Sequence, residues 1–177
     1  MEGLIFIKPS NSVSSHIDTR KIGFRIIDEI FKNEKNLCRF TNKFIPVEFL
    51  AKASQEEANI KWIEKAVNEY FDRFKGKGGT TWSLEFKARG NKSIDRESYL
   101  DVIYKLINTE NSGNSVDLKN AEHSVIIEVI WDAMVFAIVP KFKEYKKYNL
   151  TYWNTFEENN NEEEIKKEEK VVETKME

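Results

Sequence analysis

The sequence is poor in the residues that build reactive sites: it holds one cysteine, Cys38, and two histidines, His16 and His123, in 177 residues. A lone cysteine excludes an internal disulfide and fits a reducing compartment. Zinc needs three or four ligands at short paired spacings, which this set does not provide, so no metal is expected. Cys38 alternates with Phe40 on the apolar side of an expected strand and reads as a buried structural thiol. Long apolar runs are also missing. The longest, Val125 to Trp131, is broken by Glu128, whereas a membrane helix needs roughly 20 apolar residues. The start, Met1-Glu2-Gly3-Leu4, lacks the basic and apolar regions of a secretory signal. The expected setting is therefore intracellular, without a membrane partner. Acidic residues are abundant, yet they fall on solvent faces and in the tail, and no acid/base pair stands out.

Gly76-Lys77-Gly78-Gly79 is the one glycine-rich segment. A phosphate-binding loop follows a strand and opens a helix, but this segment closes an expected helix and precedes a strand, so it reads as a helix stop and a basic loop. Without a catalytic residue, a ligand set or a cofactor loop, the chain is expected to be no enzyme and to carry no cofactor of its own.

Apolar residues make up 40% of the chain and aromatics 12%, enough for a packed body. The net charge of −2 argues against a nucleic-acid partner until its distribution is considered. Residues 157–177 hold nine acids against four lysines, a net of −5, and residues 1–156 hold 24 basic against 21 acidic residues, a net of +3. The body is mildly basic. The tail, containing Asn159-Asn160-Asn161, reads as disordered: a solubilising terminus, a competitor for the basic surface, or a handle for a partner.

Along the body, Leu4 to Ile7 reads as a short strand. From Thr19, with Asp18 as N-cap, Ile22, Ile26, Ile27, Ile30 and Phe31 mark a helix face. Leu37 to Ile45 alternates, with Cys38, Phe40 and Phe44 on one side and Arg39, Thr41 and Lys43 on the other. Ser54 and Glu57 form an expected capping box for a helix whose stripe is Ile60, Ile63, Val67, Tyr70 and Phe74. Thr81 to Arg89 alternates as a half-exposed strand, with Trp82, Leu84, Phe86 and Ala88 inward and Ser83, Glu85, Lys87 and Arg89 outward. Asp95 can cap a helix buried through Tyr99, Val102, Ile103, Leu106 and Ile107. Val116 to Leu118 is a short strand, and Val125 to Ile130 and Ala133 to Val139 are two more joined at Trp131-Asp132. This order gives an α+β body with helices on a mixed sheet.

Three basic groups stand out. Lys87, Arg89, Asn91, Lys92 and Arg96 run along a strand, through a glycine turn and to a helix N-terminus, where backbone donors favour an anion. Lys141, Lys143, Lys146 and Lys147 follow the last strand with Tyr145 and Tyr148, and Arg39 with Lys43 forms the third group. Cations tracking a backbone, with amide donors and aromatic faces beside them, are what RNA recognition uses.

The same segments resemble the THUMP family. The matching stretches are Cys38 to Val47, Phe86 to Asn91 with Ile94-Asp95-Arg96, Ser115 to Asn120, Val125 to Val129, and Lys146 to Leu150, in that order. The resemblance covers about residues 1–152 and is greatest to stand-alone THUMP proteins that act as tRNA-binding adaptors in N4-acetylcytidine formation. It implies an N-terminal ferredoxin-like portion, residues 1–52, packed on a THUMP domain, residues 53–152, with residues 153–177 as the acidic tail. It further implies that the chain binds tRNA and assists a separate RNA cytidine acetyltransferase. That partner would bring acetyl-CoA and ATP and modify the D-arm of serine and leucine tRNAs in the nucleus or nucleolus. The expected RNA-binding residues are Arg39, Lys43, Lys87, Arg89, Asn91, Lys92, Arg96, Lys146, Lys147 and Tyr148. Where relatives often carry two adjacent basic residues, this chain has Ala88-Arg89-Gly90. The alternative from a different class is a protein-interaction module that uses the tail and exposed aromatics and touches no nucleic acid.

Overall fold

The computed structural model describes residues 5–8, 18–33, 41–92 and 94–152. Helix α1 spans Thr19–Asn33 and starts as expected at Asp18, whose carboxylate accepts the backbone N–H groups of Arg20 and Lys21. Those bonds, the one to Lys21 foremost, hold the Asp18 carboxyl below its ordinary pKa. Strand β1 is Phe49–Lys52 and helix α2 is Glu56–Phe71, followed by a 3-10 turn at Asp72–Phe74. Then come β2, Thr81–Arg89; α3, Arg96–Ile107; β3, Ser115–Val116; β4, His123–Ile130; and β5, Ala133–Pro140.

The strands form one mixed sheet in the order β1-β5-β4-β2-β3. The β4–β5 hairpin and the β1–β5 pair are antiparallel, and β2 runs parallel to β4 on one side and β3 on the other. Both faces of the sheet are covered at its centre. On one face α2 and α3 bury Ile63, Val67, Tyr70, Tyr99, Ile103 and Ile107 against Trp82, Val125, Ile127, Val129, Met134, Phe136 and Ile138. On the other, Ile27, Ile30 and Phe31 of α1 and Phe142, Tyr145, Tyr148 and Leu150 of the C-terminal segment meet Ile126, Ala137 and Val139. Double coverage explains why β4 and β5 read as continuous apolar runs instead of alternating ones.

Several expectations change. Ile5 and Ile7 are 82% and 86% exposed and belong to no strand, because a β-prone run without a pairing partner has no ladder to join. Of the expected strand over 37–45, the described residues 41–45 make only an isolated bridge, Lys43 to Asn149; Cys38, Arg39 and Phe40 lie outside the described residues, as do His16 and the tail 153–177. Helix α1 is rotated from its expected stripe. Gly23 joins Ile27, Ile30 and Phe31 in the core while Ile22 and Ile26 stay half exposed, because the bare Gly23 lets the helix pack directly on Pro46. The capping box does not form: α2 has no side-chain cap, and the Ser54 N–H donates instead to the Asp132 carboxylate at 2.9 Å. Ser83 turns inward, its hydroxyl 3.1 Å from that of Ser124. Residues 1–52 contribute, among the described residues, one helix and one strand of this single sheet, so β1 carries the sheet across the 52/53 boundary.

Candidate nucleic-acid interface

The face of the sheet under α1 and the C-terminal segment is apolar at one end and charged at the other. In parallel pairing, partners in register share a face, which aligns Ser83 with Ser124, Glu85 with Ile126, and Lys87 with Glu128. The apolar positions receive the cap of α1 and Phe142, and beyond them Glu85, Lys87, Arg89 and Glu128 are left without it.

Five cations gather over the two acids. Lys43 and Arg89 reach Glu128 at 3.8 and 3.7 Å. Lys143 pairs closely with Glu85, and Lys147 approaches the same carboxylate at 3.6 Å. Lys87 lies near enough to Lys43 to repel its ammonium. Five positive and two negative groups leave a local charge of +3. The charges are layered: the Glu85 and Glu128 side chains are 25% and 18% exposed, whereas those of Arg89 and Lys147 are 50% and 62% exposed. The carboxylates therefore sit low together with Lys143, itself 20% exposed, while Lys43, Arg89 and Lys147 face water. Such pairs add little stability, but they hold long side chains in place before a polyanion arrives. Burial is also felt at Lys43, whose ammonium is pulled below its usual pKa by desolvation, with Glu128 opposing.

The C-terminal segment places its lysines through a strained turn. Lys146, Lys147 and Tyr148 have φ of 49°, 58° and 57°, a left-handed run that costs non-glycine residues on the order of 1–3 kcal/mol each. Packing holds it there. Tyr148 is 1% exposed, its hydroxyl donates to the Pro140 carbonyl, and its ring meets Phe142 edge-on. Tyr148 was expected on the RNA-facing surface; its burial makes it a positioning residue with no ring face to offer. Lys147 is aimed at Glu85, while Lys146 turns toward the Tyr152 ring, 5.2 Å from its centroid.

The turn after β2 departs from expectation in another way. Asp95 caps α3, accepting from the N–H groups of Glu97 and Ser98 and from the Ser98 hydroxyl, which together lower its pKa, the hydroxyl most of all. The helix N-terminus expected to receive an external anion is thus occupied by the chain's own carboxylate. Arg96 pairs with Glu97 at 2.5 Å, and α3 packs on the opposite face of the sheet from the cluster. Asn91 donates to the Trp131 carbonyl at 2.7 Å, and Lys92 is exposed. Lys43, Lys87, Arg89 and Lys147 are therefore brought together, Lys92 and Arg96 flank them across the sheet end, and Asn91 braces the turn.

Beyond Lys143 lies an open groove of about 790 Å³ whose lining mixes Lys119, Lys141, Lys143 and Lys146 with Glu122 and Glu144. His123 is structural: Nδ1 lies 2.9 Å from the Tyr70 hydroxyl, and burial lowers its pKa to about 4. Lys143 belongs to one of the three basic groups but not to the expected RNA-binding residues, and Glu85 and Glu128 had no expected role in the site. The available signal was Glu128 itself, an acid interrupting an apolar strand.

Residues 57–139 match the THUMP domain family. THUMP domain-containing protein 1 homolog of Drosophila melanogaster is 32% identical over 133 residues, 75% of this chain and 40% of that protein. THUMP domain-containing protein 1 of Homo sapiens is 27% identical over 134 residues, 76% of this chain and 37% of that protein. The chain thus spans well under half the length of these relatives. The solution structure of the THUMP domain of THUMP domain-containing protein 1 aligns with a TM-score of 0.40 at 26% identity, covering 48% of this chain and 87% of that one. Residues 57–139 of this chain are thus a THUMP domain, homologous to that of THUMP domain-containing protein 1.

Proposed function

We propose that this chain is a non-catalytic tRNA-binding adaptor that presents serine and leucine tRNAs to a separate RNA cytidine acetyltransferase in the nucleus, for N4-acetylcytidine formation in the D-arm. THUMP domains are in general RNA-binding domains of tRNA-modifying proteins. The observation that carries the reading is the convergence of Lys43, Lys87, Arg89, Lys143 and Lys147 on Glu85 and Glu128, with a surplus of positive charge. A surface of fixed cations tracks phosphates and carries little base information, which suits a protein that holds a folded RNA while another protein performs the chemistry. The partner supplies acetyl-CoA and ATP.

Titration of folded tRNA across salt tests the binding step. Each phosphate contact contributes roughly −0.7 to −0.9 to the log–log slope, so about three to five contacts predict a slope of about −2 to −4.5. Absence of tRNA binding at low salt refutes the reading. Incubating tRNA, acetyl-CoA, ATP and the acetyltransferase with and without this chain tests the adaptor step: acetylation that requires the chain supports it, and acetylation indifferent to the chain refutes it.

A further inference from the structure

We propose that Trp131 is a stacking platform for an unpaired nucleobase, set beside the basic cluster so that one nucleotide offers its base to Trp131 and its phosphate to Arg89. The proposal rests on the RNA-binding reading above and adds to it a preference for unpaired over duplex nucleotides.

Trp131 is the first of the two residues that join β4 to β5. Its φ is 54°, in a region that hairpin turns normally fill with glycine, asparagine or aspartate and that strains a bulky residue. Burial does not explain the choice, since Trp131 remains 75% exposed. Its placement is nevertheless fixed. The Trp131 N–H donates to the Arg89 carbonyl at 2.8 Å, and Asn91 Nδ2 donates to the Trp131 carbonyl at 2.7 Å. The following residue, Asp132, accepts the Ala53 N–H at 2.7 Å through its carbonyl and the Ser54 N–H at 2.9 Å through its carboxylate. The indole seats its Cδ1–Nε1 edge against the bare backbone of Gly90, where any β-carbon would collide with the ring. A strained, braced and solvent-facing indole is a preorganised surface, and strain that persists where one ring edge alone is covered points to function.

The neighbourhood identifies the occupant. Arg89 immediately precedes Gly90 and belongs to the +3 cluster. The indole lies on Gly90 and the cation is carried by the preceding residue along the backbone, so a ligand matching both features carries a flat aromatic group and an anion on one short scaffold, which describes a nucleotide. Bases inside a duplex are already stacked on both sides, so apart from a terminal pair only an unpaired nucleotide has a face to offer the indole.

The test compares a blunt RNA duplex of about one helical turn with the same duplex bearing a short unpaired extension, for the wild-type chain and for Trp131→Ala, Trp131→Leu and Trp131→Phe. Fluorescence anisotropy gives the affinities, and thermal melts confirm folding. One stacked base is worth about 1–3 kcal/mol, so the extension should improve wild-type affinity roughly 5- to 150-fold. Trp131→Ala and Trp131→Leu should abolish that advantage while leaving blunt-duplex affinity and its salt slope unchanged, and Trp131→Phe should keep part of it. Should the alanine variant fail to fold, Trp131→Leu, which keeps apolar contact with Gly90 but has no π face, decides. An advantage that survives Trp131→Leu, or a blunt-duplex affinity that falls as much as the extended one, overturns the proposal. If the wild-type chain binds neither RNA, the RNA-binding reading itself fails; if it binds both equally, only the platform falls.

Discussion

The two faces of the sheet are drawn from the same strands but end differently. On the α2/α3 face the apolar positions run the length of β4 and β5, from Val125 to Val129 and from Met134 to Ile138, and two helices seal them. On the other face α1 and the C-terminal segment close over Ile126, Ala137 and Val139 and stop, leaving Glu85, Lys87, Arg89 and Glu128 to be met by Lys43, Lys143 and Lys147. One face contributes stability and the other contributes a charged surface, and the sheet lets each be altered with little effect on the other.

The largest effect should come from opening the sealed face. Phe136 is fully buried and stacks on Phe49 at 5.2 Å, so Phe136→Ala should cost about 3–5 kcal/mol in denaturant unfolding. An intermediate position should show as pH dependence. His123 has a folded pKa of about 4 against an ordinary 6.5. Its neutral form therefore favours folding above pH 6.5, and that contribution is lost as pH falls through about 4, because the unfolded chain takes up the proton first. The loss amounts to about 3 kcal/mol at 1.36 kcal/mol per unit. Thermal melts between pH 6.5 and 4 should decline in the wild type and decline less in His123→Gln.

The charged face should respond in binding instead. Arg89→Gln with Lys147→Gln should reduce the tRNA salt slope by about two and weaken binding to different tRNAs alike, with stability changed by no more than about 1 kcal/mol. Loss of binding to one tRNA alone would contradict a phosphate-holding role. Asp95→Ala should cost about 1 kcal/mol of stability by uncapping α3; it also tests whether the cap has been excluding an external anion, since tRNA affinity should then rise. The smallest expected effect is the most diagnostic of the layering: Glu128→Gln removes a sunken negative charge without changing shape and should tighten tRNA binding about threefold, as one charge acting through water at about 7 Å would give.

Much of the architecture was legible in the chain itself. The strand Thr81–Arg89, the helix capped by Asp95 and the hairpin turning at Trp131-Asp132 all appeared where local pattern placed them, because each is encoded within a few residues. Expectations failed where a distant group competed for a local one. Ser54 should have capped α2, but Asp132, 78 positions away in sequence, took its N–H. Tyr148 read as a surface aromatic among lysines, yet Pro140 and Phe142 draw it into the core.

The site divides along the same line. Periodicity and composition by themselves determined which residues are cationic and that β2 would present Lys87 and Arg89 on one face. Only the tertiary structure decided that Lys43, Lys143 and Lys147, from segments on either side of the central sheet in sequence, would converge on that face while Arg96 went to the other. Alternation is a property of neighbours along one strand, whereas convergence depends on the register of β2 against β4 and on a left-handed turn held by a buried tyrosine. No local pattern records either.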